Sequence, residues 1–202
     1  MMKTWLLSGI VVVLGLLPAG AVAQTNGDKL EISAFAINMG AMGPAASAMV
    51  DIKVNSWSTA AEREQLITTM LEKGPDALLK ALQKVPSKGR FSVPGKQGPD
   101  PHQLRLGHDL RYAWQTPLPE GGRRIVLITD RYIGMQEARN QPRTMDYPFT
   151  VFEIRVNKDG EGEGKVAVAT KITFDKKANQ VELENYSSEP VRLNKVQAKV
   201  KS

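Results

Sequence analysis

The feature that most constrains this chain is the period-two pattern of its C-terminal half. Phe152, Ile154 and Val156 alternate with Glu153 and Arg155, and Val166, Val168, Thr170, Ile172 and Phe174 resume the alternation beyond a turn at Asn157-Lys158-Asp159-Gly160. Successive side chains on a strand point to opposite faces, so each run has one apolar and one polar face, and the turn joins the two runs as an antiparallel hairpin. A second hairpin is expected around residues 175–179, with Val181 and Leu183 facing one way and Glu182 and Glu184 the other, and residues 191–200 read as a last amphipathic strand. The unbroken apolar run Ile125-Val126-Leu127-Ile128 predicts a strand covered on both sides. Residues 29–37 and 49–55 predict two further strands that pair, the second with Val50, Ile52 and Val54 in alternation. Strands linked in succession by short turns do not make a wound parallel sheet. The expected class is therefore α+β with a dominant antiparallel sheet. Open, sandwiched and barrel forms all satisfy the pattern, and about eight or nine strands suffice for closure, which removes exposed edges.

A helical region interrupts the strands at residues 59–85. Thr59 and Glu62 have capping-box spacing, and Leu66, Ile67, Met70 and Leu71 fall on one face. Gly74 is expected to end this helix, and Pro75-Asp76 to open a second whose stripe is Leu78, Leu79 and Leu82, before Pro86 stops it. This predicts a helical pair inserted after the second strand and packed on the sheet, followed by a β-rich region over 89–200. The polar face mixes Glu62, Arg63, Glu64, Glu72, Lys73 and Lys80, unlike the uniformly basic face of a membrane-surface helix. Residues 39–46, rich in glycine, alanine and methionine, read as a connecting loop; the functional alternative is an apolar lip over a pocket.

The N-terminus carries Lys3, an apolar run over residues 5–17, Pro18, and the small residues Ala21-Val22-Ala23. This order is that of a secretory signal peptide over residues 1–23, cleaved after Ala23, and the apolar run is too short for a spanning helix. Residues 24–202 then form a single exported domain, secreted or periplasmic, with no transmembrane segment after cleavage. The chain has no cysteine, which excludes a lipoprotein anchor, disulfides, thiol catalysis and thiolate zinc sites. Its 27 basic against 21 acidic residues leave a positive surplus that falls in residues 84–143 and in the tail, which suits an anionic partner.

The densest polar segment, residues 129–146, is longer than a hairpin needs and holds Arg131, Arg139, Asn140 and Arg143. Guanidinium forks match paired anionic oxygens, so these four residues are the candidate anion ligands. The structural alternative is that Asp130, Glu137 and Asp146 pair with those arginines and simply hold the loop's shape. His102 and His108, with Asp100 and Asp109 beside them, allow a metal or acid–base site on paper, but their spacing fits no ligand pattern. No serine lies in a nucleophile elbow, no phosphate-cradling glycine loop is present, and the glycines at 160, 162 and 164 alternate with acids that would repel phosphate. No cofactor or nucleic-acid module is indicated.

Three strings, Trp57-Ser58-Thr59-Ala60-Ala61-Glu62-Arg63, then Glu137-Ala138-Arg139-Asn140-Gln141-Pro142-Arg143 with Asp146-Tyr147-Pro148-Phe149-Thr150, and Ala169-Thr170-Lys171-Ile172-Thr173-Phe174-Asp175, make the chain similar to an uncharacterised group of exported bacterial proteins. The resemblance covers most of the chain beyond the leader. It implies a bacterial envelope or extracellular setting and transfers no catalytic role.

The leading expectation is a non-catalytic exported domain that binds an anionic or amphipathic envelope ligand, such as a small molecule or lipid, or an envelope protein. The alternatives are a hydrolase or lyase using a histidine beside an arginine-lined anion site, and a structural envelope protein.

Overall fold

Leu30, Ile32, Ala34 and Ala36 are buried along β1 (Leu30–Ile37) while Glu31 is exposed. Val50, Ile52 and Val54 repeat the pattern along β2 (Ser47–Val54), so the expected period of two becomes one apolar face per strand. The computed structural model describes residues 27–37, 47–94, 107–131, 149–168, 172–175, 180–183 and 191–201. The leader, the 39–46 segment, His102, Arg139, Asn140 and Arg143 lie outside the described residues. After β2 come the helix α1 (Ala60–Leu82), β3 (Gly89–Ser92), β4 (His108–Pro117), β5 (Arg123–Thr129), β6 (Thr150–Val156), β7 (Glu161–Val168), β8 (Ile172–Asp175), β9 (Gln180–Leu183) and β10 (Val191–Val200).

Each strand from β1 to β6 pairs antiparallel with its successor, and β10 joins β7 back to β1, so eight strands close into a barrel. β8 and β9 pair with each other in a separate two-stranded sheet. Closure selects the barrel among the three expected forms. Bulges help the strands bend into it: one on β4 shifts the register between Leu110 and Tyr112, and one on β10, between Leu193 and Val196, where Lys195 takes φ 51°, shifts the pairing with both β7 and β1.

The inward faces of all eight barrel strands form one continuous apolar cluster. Ile125, Leu127, Phe152, Ile154 and Leu193 have no accessible surface, so no water-sized space lies beside them. A second cluster sits outside the wall, where Leu66, Leu78 and Leu82 of α1 cover Tyr112, Val126, Ile128 and Val151. β5 is thus buried on both faces, as its unbroken apolar run requires. The outer wall elsewhere is charged, with Glu31, Lys53, Arg90 and Arg155 facing out, where a lipid-facing barrel needs an apolar band. No helix among the described residues is long and apolar enough to cross a membrane.

Three expectations need correction. The helical pair is one helix, kinked at Gly74, where φ is 78° and ψ is −175°. Glycine breaks the helical dihedrals at a single residue, and Pro75, whose missing N–H costs nothing in a first turn, resumes the helix at once. Leu71, expected in the buried stripe, is half exposed, because the kink divides the stripe between two helix directions. The strand expected to run through residues 166–174 is two: β7 begins at Glu161 and ends at Val168, and β8 starts at Ile172. Gly162 and Gly164 belong to β7 while Gly160 closes the turn before it, and a side chain at Gly162 would collide with the Arg155 carbonyl. β4 was not foreseen as a strand, because its bulge breaks the alternation: Leu110 and Ala113 face in, whereas Tyr112 packs outside.

Candidate functional site

Apart from the β2–β3 link that carries α1, strand direction sorts the connections by length. The β4–β5 and β6–β7 links are tight turns, closed by Gly121 N–H donating to Leu118 O at 3.0 Å and Gly160 N–H to Asn157 O at 3.1 Å. The links spanning residues 38–46, 93–107, 130–149 and 169–190 all leave from the opposite end, the mouth of the barrel. Long connections on a rigid scaffold are where binding residues concentrate.

At the mouth, Phe91 on β3 and His108 on β4 are register partners on the inward face, their rings nearly parallel with centroids 6.5 Å apart. Phe91 packs in turn on Phe152 at 4.9 Å. Two fully buried threonines close the layer below. The Thr129 hydroxyl donates to the Arg131 carbonyl at 2.7 Å and accepts from the Thr150 N–H at 3.2 Å, and the Thr150 hydroxyl donates to the same carbonyl at 3.3 Å. Two hydroxyls therefore hold the backbone of Arg131 at the rim, so its side chain starts from a fixed point.

Arg111 has a different task. Its guanidinium meets Asp130 at 2.9 Å and Asp109 at 3.3 Å, and donates to the Val85 carbonyl at 3.1 Å. Those partners consume its directional donors and tie β4 to β5 and to the segment after α1. Arg90 reaches Asp109 only at 3.9 Å. Arg131 makes no ion pair with another described residue. Together Arg90, His108, Asp109, Arg111, Asp130 and Arg131 line a hollow of about 180 Å³.

His108 is held below its ordinary pKa, first because burial disfavours its charged form and then because the Arg131 cation opposes protonation; Asp130 and Asp109 pull weakly the other way. At neutral pH the imidazole is uncharged and offers one donor and one acceptor. Among the described residues three arginines then line the hollow with two carboxylates, one positive charge in excess, and the arrangement suits a small anion.

Arg131 and His108, which only the hydrolase or lyase alternative expected together, share one hollow. Asp130, expected to brace the loop arginines, is engaged by Arg111 of β4. His108 and Asp109 are successive strand residues with side chains on opposite faces, so they do not form one metal ligand set. Among the described residues no group of three or more His, Asp or Glu side chains gathers for a metal. Arg90 and Arg111 escaped the sequence reading: β3 spans four residues, and the bulge hides the side on which Arg111 emerges. The Arg90-Phe91 alternation was the available signal. No family model matches the chain, and neither a curated protein nor a solved structure matches it.

Proposed function

We propose that this protein is an exported, non-catalytic binding domain that takes a small anion, a carboxylate or phosphate group, at the mouth of its barrel. The observation that carries this reading is Arg131: its backbone carbonyl is held by two buried hydroxyls, and it lines the hollow beside neutral His108 and the loosely engaged Arg90. Guanidinium forks recognise paired anionic oxygens. The filled interior argues against an amphipathic ligand lodged inside the barrel, since the core side chains leave no space for an acyl chain. The leader over residues 1–23 and the resemblance to exported bacterial proteins support an envelope or extracellular setting.

The test is thermal-shift titration of the purified protein with phosphate and acetate at low and high salt. A ligand at about 100 times its Kd stabilises by about 2.7 kcal/mol, roughly 5–10 °C for a domain of this size. A salt-sensitive shift that Arg131→Gln removes is the expected result, and an equal shift in that variant overturns the assignment.

The hydrolase or lyase reading is supported by one observation, a neutral histidine beside a cation in a hollow. Weighing against it, both threonine hydroxyls at the mouth are committed to the Arg131 carbonyl.

A further inference from the structure

The outer wall carries a row of charged residues in direct cross-strand register. Lys199 on β10 pairs with Glu31 on β1, Glu31 with Lys53 on β2, Lys53 with Arg90 on β3, and Arg90 with Asp109 on β4. The signs alternate except at one step, where Lys53 and Arg90 face each other as like charges. Like charges directly opposite on a sheet are destabilising. The neighbouring acids do little to relieve this step. Glu31 stands 3.8 Å from Lys53 but 3.3 Å from Lys201, and Asp109 stands 3.9 Å from Arg90 but 3.3 Å from Arg111. Each acid is therefore closer to a different cation.

Lys53 and Arg90, 59% and 53% exposed, border an open hollow of about 410 Å³. Asn55, Ser87 and Ser92 add neutral polar groups to its lining, and Arg90 and Asp109 line both this hollow and the one at the mouth. The two depressions thus meet across β3 and β4, with the cations Lys53 and Arg90 on the wall and Arg131 at the rim.

We propose that the two hollows are halves of one furrow and that the natural ligand is an elongated small molecule with two anionic groups, carboxylate or phosphate. One group sits at the mouth against Arg131, and the other lies between Lys53 and Arg90, where it relieves their repulsion. This inference rests on the anion-binding reading of the mouth and extends it to a ligand class.

Calorimetric titration at low salt tests it, using acetate against dicarboxylates of increasing chain length, and phosphate against diphosphate and longer bisphosphates, so that the two series tell carboxylate from phosphate. The best dianion should bind about tenfold or more tightly than its matching monoanion, since the second contact forms at high effective concentration. Lys53→Gln, at an exposed position, should bring the dianion down to the monoanion's affinity and leave the monoanion unchanged, with the far-ultraviolet circular dichroism unaltered. Monoanion binding that Arg131→Gln removes, without any Lys53-dependent gain for a dianion of either series, overturns the furrow and leaves the mouth site standing. Binding of neither monoanion nor dianion overturns both.

Discussion

The wall beneath α1 and the mouth of the barrel both hold buried or half-buried charges, and they use them in opposite ways. Beneath the helix every cation has a close partner: Lys88 meets Glu62 at 2.9 Å, and Arg124 meets Glu153 at 2.9 Å. Burial alone would raise both carboxyls, but at Glu62 the Thr59 N–H and Lys88, and at Glu153 the guanidinium groups of Arg124 and Arg155, hold them below the ordinary range. At the mouth Arg111 is held as closely, 2.9 Å from Asp130, but Arg90 reaches Asp109 only at 3.9 Å and Arg131 makes no ion pair with another described residue. A rim cation with no ion pair among the described residues contributes little to stability there, and that separates a binding surface from a structural one.

The largest effect should come from breaking the wall. Lys88 has a side chain only 9% exposed, and Glu62 also closes the helix cap by accepting the Thr59 N–H at 2.8 Å. Glu62→Ala should destabilise the fold by about 3 kcal/mol, because it strands a buried ammonium group and opens the capping box. Urea denaturation reads this directly, and Lys88→Met in the same background should recover part of the loss.

The next contrast lies inside the mouth itself. Arg111→Gln leaves Asp130, a side chain 10% exposed, without its closest partner, and should cost about 2 kcal/mol. Arg131→Gln should change stability by no more than about 0.5 kcal/mol while removing anion binding. If the two variants lost equal stability, the division between structural and binding arginines would fail.

A smaller effect follows from Thr129→Val, which removes the shorter hydrogen bond to the Arg131 carbonyl and the acceptor for the Thr150 N–H. About 1 kcal/mol of stability should go with it, together with severalfold weaker anion binding, since the Arg131 side chain then starts from a looser backbone.

Acid should separate the two regions by pH. His108 is depressed in the folded state, so its contribution is complete above the ordinary histidine value of 6.5 and is lost as pH falls through 6.5 towards the folded value. Glu62 and Glu153 are also depressed, so their contributions are present above 4.5 and are lost as pH falls below it towards their folded values. Stability against pH should therefore decline first at the mouth and then at the wall, and His108→Asn should erase only the earlier decline.

Much of the fold was legible where a signal is local. The Thr59–Glu62 box, the turn at Asn157–Gly160 and the apolar run of β5 each depend on residues within a few positions, and each has the expected form. β4 was illegible because a bulge at Arg111 shifts its parity, which turns Tyr112 to the helix and Ala113 to the core. Half of the candidate site was visible as isolated residues. Arg131 drew attention as part of a long polar segment and His108 as a titratable side chain, but nothing local joined a residue at the start of β4 to one just beyond the end of β5.

The sequence by itself determined which side of most strands is apolar, where the helix is capped and where the tight turns fall, since period and turn chemistry act over one to four residues. Only the tertiary structure decided that β1 pairs with β10, that four of the long connections share one end, that Arg111 is engaged by two carboxylates while Arg131 lines the hollow, and that Lys53 stands opposite Arg90. Those outcomes depend on hydrogen-bond register between strands far apart in sequence. That register is set jointly by closure, by the bulges on β4 and β10 and by the packed apolar core.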